Sequence, residues 1–165
     1  MNKPKKIVLV GHFGVGKSSL IRRFVKNEFS DDYMVTIGVH ILKKEVTLEK
    51  ENYTLILWDI EGKESIKDVR EAYLLGTSGF IYVFDVTRDS TFIKIEEDIA
   101  HINQKYKFPS LVIAANKCDL IDEKIDRIKL ENYQIKPDFF TSAKTGHQVD
   151  ELFIKLTKKM IENED

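Results

Sequence analysis

The segment Gly11-His12-Phe13-Gly14-Val15-Gly16-Lys17-Ser18 fits the pattern G-x-x-x-x-G-K-[ST]. It follows the apolar run Ile7-Val8-Leu9-Val10 and precedes Leu20, Ile21, Phe24 and Val25, which recur at helical spacing. A glycine-rich turn between a buried strand and a helix constrains the fold strongly. The glycines let the chain turn tightly, so that successive backbone N–H groups converge on an anion. The helix starting near Lys17 adds the positive end of its dipole. Lys17 supplies a mobile cation for outer phosphates, and the Ser18 hydroxyl is suited to Mg²⁺.

The rest of the chain repeats the same alternation. Residues 39–48 and 53–58 read as a pair of strands joined by the polar turn Glu49-Lys50-Glu51-Asn52. Phe80-Ile81-Tyr82-Val83-Phe84 and Leu111-Val112-Ile113-Ala114-Ala115 read as buried strands, and Phe139-Phe140 as a short last one. Between and after them, Phe92, Ile95, Ile99, Ile102 and Tyr106, then Val149, Leu152, Phe153, Leu156 and Met160, mark helical faces. Strands alternating with helices imply a parallel sheet covered on both sides, the hairpin adding an antiparallel edge.

Composition limits the setting. The 165 residues suit one domain, residues 1–165, and the net charge of -1 argues against a general nucleic-acid binder. The single cysteine, Cys118, forms no internal disulfide. No apolar run approaches the roughly 20 residues of a membrane span. Asn2 stands where myristoylation needs glycine, and Ile161-Glu162-Asn163-Glu164-Asp165 holds no cysteine for prenylation. The expectation is a cytoplasmic monomer without a transmembrane segment or a lipidation motif.

Leu57-Trp58-Asp59 ends a strand with a carboxylate beside the phosphate loop, where a Mg²⁺-associated acid belongs. Gly62 is small enough for its backbone N–H to approach a terminal phosphate. The base is addressed by Asn116-Lys117-Cys118-Asp119, just after the strand 111–115. A carboxylate at Asp119 can accept from guanine's N1–H and exocyclic amine, while adenine offers the wrong pattern. An unpaired buried acceptor costs about 1–3 kcal/mol or more, which favours guanine. Thr141-Ser142-Ala143-Lys144 offers a backbone N–H to the guanine oxygen.

These segments, with Ser19-Leu20, Tyr33-Met34-Val35-Thr36-Ile37-Gly38-Val39, Tyr82-Val83-Phe84-Asp85-Val86-Thr87 and Thr145-Gly146, resemble the Ras superfamily of small GTPases, most closely its Rab branch. The resemblance runs from about Lys5 to Ile161. It implies an α/β P-loop NTPase fold: a mostly parallel six-stranded sheet with one antiparallel edge strand, flanked by about five helices. It also implies GTP or GDP with Mg²⁺ as cofactors, and a molecular switch that presents residues 30–75 to protein effectors and regulators. Phe13, Gly14, Val15, Gly16, Lys17, Ser18 and Ser19 would hold phosphates, and Asn116, Lys117, Asp119, Ser142, Ala143 and Lys144 the base. Phe29 would lie edge-on to guanine, and Tyr33 would fold over the phosphates. Thr36 would join Ser18 and Asp59 at the metal, and residues 61–75 would form the second switch segment.

Three positions depart from the family. Its usual Asp-Thr-Ala-Gly-Gln-Glu reads Asp59-Ile60-Glu61-Gly62-Lys63-Glu64. Lys63 replaces the glutamine that orients the attacking water, and an ammonium only donates hydrogen bonds. Glu61 brings charge and bulk towards the terminal phosphate, and Phe13 stands where a small residue is usual. With Lys17 and Lys63 as the candidate catalytic residues, impaired hydrolysis is the first expectation. A Lys63 cation acting in cis is the competing one. A constitutively GTP-loaded binding module and a nucleotide kinase are the rival functions. The kinase would need a second substrate site and an arginine-rich lid, and neither is evident. His12, His40, His101 and His147 show no metal-ligand spacing.

Overall fold

A computed structural model describes residues 3–32, 35–107 and 109–164. It contains β1 (Lys5–Val10), α1 (Lys17–Lys26), β2 (Val39–Leu48), β3 (Glu51–Ile60), α2 (Glu71–Leu74), β4 (Gly79–Asp85), α3 (Ile95–Lys105), β5 (Ser110–Asn116), α4 (Glu123–Asn132), β6 (Phe139–Thr141) and α5 (Val149–Glu162). Short 3₁₀ turns lie at Ile66–Asp68, Asp89–Thr91 and Cys118–Leu120. The sheet order is β2-β3-β1-β4-β5-β6, and only the β2–β3 pairing is antiparallel.

This is the expected six-stranded sheet with an antiparallel edge and five helices. The central strand β4 is buried along its whole length, which is why it reads as an unbroken apolar run. One core layer packs Leu20, Ile21 and Phe24 of α1 and Leu152, Phe153 and Leu156 of α5 on the sheet. There Phe24 and Phe153 stack with centroids 4.1 Å apart and planes 3° from parallel. The opposite layer buries Phe80, Tyr82 and Phe84 under Phe92, Ile95, Ile102 and Leu130.

Two boundaries differ from the sequence expectation, and one helix was not anticipated. The hairpin turn is shorter: Leu48 already pairs with Glu51, leaving Glu49 and Lys50 at the corner with φ of 51° and 72°. Two consecutive left-handed residues form a tight turn that matches strand twist. Phe92 closes the 3₁₀ turn ahead of α3 and is not in the helix, although it is buried on the same face as Ile95 and Ile102. Helix α4 carries no apolar stripe to reveal it, since Ile125 and Ile128 are exposed and only Leu130 is buried. Its start is marked by Asp122, whose side chain accepts from Lys124 N.

β1 sits between β3 and β4, and the helix after β1 (α1) covers one face of the sheet while the helix after β3 (α2) covers the other, so the winding reverses there. The carboxyl end of such a strand opens onto a crevice.

Candidate functional site

That crevice is a cavity of about 280 Å³ lined by the glycine loop, the end of β3 and the loops after β5 and β6. Phe13, Gly14, Gly16, Lys17, Ser18, Ser19, Phe29, Thr36, Asp59, Gly62, Asn116, Lys117, Asp119, Ala143 and Lys144 all reach its wall. Val15 is fully buried in the core beneath the loop, and Ser142 lies behind the base end. Tyr33 lies outside the described residues.

The loop ends at Gly16, whose left-handed backbone (φ 101°) begins α1. A Cβ there would meet Asn116 Nδ2 at 2.3 Å, so only glycine fits. The first turn of α1 has neither a side-chain cap nor an acidic residue, whereas α3, α4 and α5 each start with carboxylates. Uncapped N–H groups and an unopposed dipole suit a bound anion. Lys17 Nζ donates to the Gly11 and His12 carbonyls at 3.0 and 2.9 Å. Burial lowers this ammonium to about 8, with the Asp59 carboxylate opposing the shift and the Arg88 charge adding to it.

Ser18, Thr36 and Asp59 meet at one point. Ser18 Oγ lies 2.7 Å from Thr36 Oγ1, Thr36 donates to Asp59 Oδ2 at 3.1 Å, and Ser18 donates to the same oxygen. Asp59 Oδ1 is buried without a hydrogen-bond partner. Burial raises the Asp59 carboxyl above its ordinary range against the hydroxyl bonds and the Lys17 charge. An orphaned carboxylate oxygen beside two hydroxyls is a hard-oxygen donor set that fits Mg²⁺. The scattered histidines form no metal-ligating cluster among the described residues.

At the base end, Asn116 Nδ2 donates to Val15 O at 2.9 Å while its Oδ1 accepts from Thr141 at 3.0 Å. The buried amide therefore ties the loops after β1, β5 and β6 together. Ser142 Oγ holds Asp119 Oδ1 at 2.7 Å, which orients the carboxylate and leaves Oδ2 for a ligand. Arg23 of α1 donates to the carbonyls of Ala143 and Lys144 at 2.8 and 2.7 Å. Phe29 packs partly on the core and partly faces the cavity, so the packing and stacking readings are compatible. Cys118 packs half-buried on the core, and burial raises its thiol above the usual range.

The stretch after β3 touches the glycine loop through Gly62, where a Cβ would meet the Phe13 backbone at 2.5 Å. This contact is a stricter reason for glycine than approach to a phosphate. Lys63 N donates to Gly11 O at 3.3 Å, while Lys63 Nζ turns to Glu61 Oε2 at 3.4 Å. Neither Glu61 nor Lys63 is among the described residues lining the cavity.

Sequence reasoning gave no role to Asp85, Arg88 or Asp98. Asp85 ends β4 level with Asn116 and carries bonds to Thr87, Lys117 and Arg88. Burial favours its neutral form, yet the bonds from Thr87 and Lys117 prevail and hold the carboxyl below the ordinary range. Asp98, buried on α3, accepts from Ser65 Oγ, Ile66 N and Tyr82 Oη at 2.8, 3.1 and 2.8 Å. An acidic residue on an otherwise apolar helical face was the available signal.

A mostly parallel sheet with a glycine-rich phosphate-binding type of loop at its switch point places the protein among the P-loop NTPases. The sequence pattern of the Ras family matches residues 6–162. The chain is 36% identical over 158 residues to the Ras-related protein Rab-1C of Dictyostelium discoideum, covering 92% of this chain and 78% of that protein. It is 34% identical over 161 residues to the Ras-related protein Rab-22A of Homo sapiens, covering 94% of this chain and 82% of the relative. The chain belongs to the Ras family of small GTPases, on its Rab branch.

Proposed function

We propose that this chain is a switch that holds GTP or GDP with Mg²⁺ in the 280 Å³ cavity, hydrolyses GTP slowly, and presents residues 30–75 to effectors and regulators. The observation that carries this reading is the convergence of Lys17, Thr36 and Asp119 on one cavity wall. On this reading they would serve one ligand as a phosphate cation, a metal hydroxyl and a base-reading carboxylate.

Lys17 would exchange its two carbonyl partners for phosphate oxygens, helped by the N–H groups of α1. Asp119, oriented by Ser142, accepts from the guanine N1–H and amine, and the Ala143 N–H donates to the base oxygen. Ser18, Thr36 and Asp59 would hold Mg²⁺, which when bound neutralises charge on the phosphate oxygens. The slow-hydrolysis part rests on Lys63, whose ammonium is turned to Glu61 and has no acceptor for a proton of an attacking water.

The same ion pair favours a second reading, a binding module kept loaded with GTP. Denaturing the purified protein and chromatographing the released nucleotide tests both. Stoichiometric guanine nucleotide is expected; adenine nucleotide, or none after incubation with GDP and Mg²⁺, would overturn the assignment. A mainly GDP-loaded protein supports the switch, and persistent GTP supports the module.

A further inference from the structure

The outer side of the phosphate loop is gripped by two cations that share one carboxylate. Asp85 is 2% exposed; its Oδ1 accepts from Thr87 N and Oγ1 at 2.9 and 2.6 Å. Its Oδ2 lies 2.9 Å from Lys117 Nζ and 3.2 Å from Arg88 Nε. Each cation then reaches the loop: Lys117 Nζ donates to Gly14 O at 2.8 Å, and Arg88 Nη2 to Phe13 O at 2.7 Å.

The carbonyls so held belong to consecutive peptide units. In a trans peptide the C=O and the next residue's N–H point in opposite directions. Holding the Phe13 and Gly14 carbonyls therefore fixes where the N–H groups of Gly14 and Val15 point. Those two donors stand at the start of the anion-binding turn. A pair between two exposed side chains is worth little, but here the carboxylate is buried and only the Arg88 partner is partly exposed. The guanidinium fork differs because its second arm orients a peptide of the loop itself.

We infer that Asp85 and Arg88 are positioning residues that set how tightly the loop grips nucleotide phosphates, with Lys117 as the second arm of the same clamp. This inference rests on the guanine-nucleotide reading above. The base-reading loop and the phosphate loop thereby share a counter-charge, so the two halves of the ligand site are mechanically joined.

The test is the release rate of a fluorescent GDP analogue, with Mg²⁺ present, from the native chain and from Arg88→Gln, Arg88→Lys, Asp85→Asn and the Asp85→Asn/Arg88→Gln double variant. Arg88→Gln should release the analogue roughly three- to tenfold faster, the scale of one ordinary hydrogen bond, because the arm acts on the nucleotide only through the loop peptide. Arg88→Lys should fall between native and Arg88→Gln, because an ammonium lacks the fork that reaches both partners. The double variant should release more slowly than the product of the single effects demands, as residues of one network do. Arg88 is partly exposed, so Arg88→Gln folds and keeps the test decisive even if Asp85→Asn does not. Release at the native rate from Arg88→Gln, or fully multiplicative single effects, would overturn the clamp and leave the nucleotide reading standing. A native chain that binds no guanine nucleotide overturns both.

Discussion

Lys63 Nζ lies 3.4 Å from Glu61 Oε2 across the Gly62 turn, with the side chains 39% and 41% exposed. A pair this open to water is worth about 0–1 kcal/mol. It is a resting place for the ammonium, easily left, yet it keeps Lys63 beside an acid and away from the cavity wall. Replacing Lys63 by Gln restores a side chain that can both accept and donate to water. Single-turnover phosphate release from bound GTP should then rise by at least roughly tenfold. A slower Lys63→Gln variant would show instead that the cation stabilises developing charge in cis.

Asp59 carries the metal prediction. Its Oδ1 is buried and unpartnered, and burial disfavours the ionised form. Asp59→Asn removes the buried charge while an amide oxygen can still accept from Ser18 and Thr36. Without metal the variant should be more stable by about 1 kcal/mol, a rise in melting temperature of about 2–4 °C. With nucleotide and Mg²⁺ the order should reverse, because the variant gains little from the ion. Thermal melts with and without EDTA read both signs; equal shifts in both would remove Asp59 from the metal site.

The proposed guanine selectivity rests on Asp119. Ser142 occupies only its Oδ1, so the other oxygen is open to a ligand. Asp119→Asn presents a donor to the guanine amine and should weaken GDP binding by roughly a hundredfold or more. The same amide suits a carbonyl, so xanthosine diphosphate should gain affinity. Competition against a fluorescent guanine nucleotide measures the exchange, and unchanged ranking of the two bases would argue against the assigned pose.

Much of this arrangement was legible as sequence. The loop 11–18, the strands around β4 and the base-reading tetrapeptides declare themselves because each chemistry needs particular residue types at a fixed spacing. Helix α4 was not legible: its apolar residues Ile125 and Ile128 face outward, so the periodicity that betrays a buried face is missing. The roles of Asp85 and Arg88 were not legible either. Each depends on which strand ends lie side by side, and a carboxylate carries no mark of whether its partners are water or protein.

Asp98 yields a stability prediction on that ground. Asp98→Ala strips three donors of their acceptor, one of them the buried Tyr82 hydroxyl. The loss should be about 2–4 kcal/mol. Adding Tyr82→Phe should recover part of it by removing the orphaned hydroxyl, so the double variant should outlast Asp98→Ala in urea. Additive losses would mean the hydroxyl finds another partner.

The Asp98 bonds also bound the reach of the moving parts. The stretch 61–64 runs between the end of the sheet at Ile60 and the fastened Ser65. At about 3.3–3.6 Å per residue, such a short cord swings over little more than its own span. In the proposed switch, a partner that reads the nucleotide would contact that cord or the segment around Thr36. Displacing Ser65 or Ile66 is a separate event, because their bonds to Asp98 must break before they can leave the α3 surface.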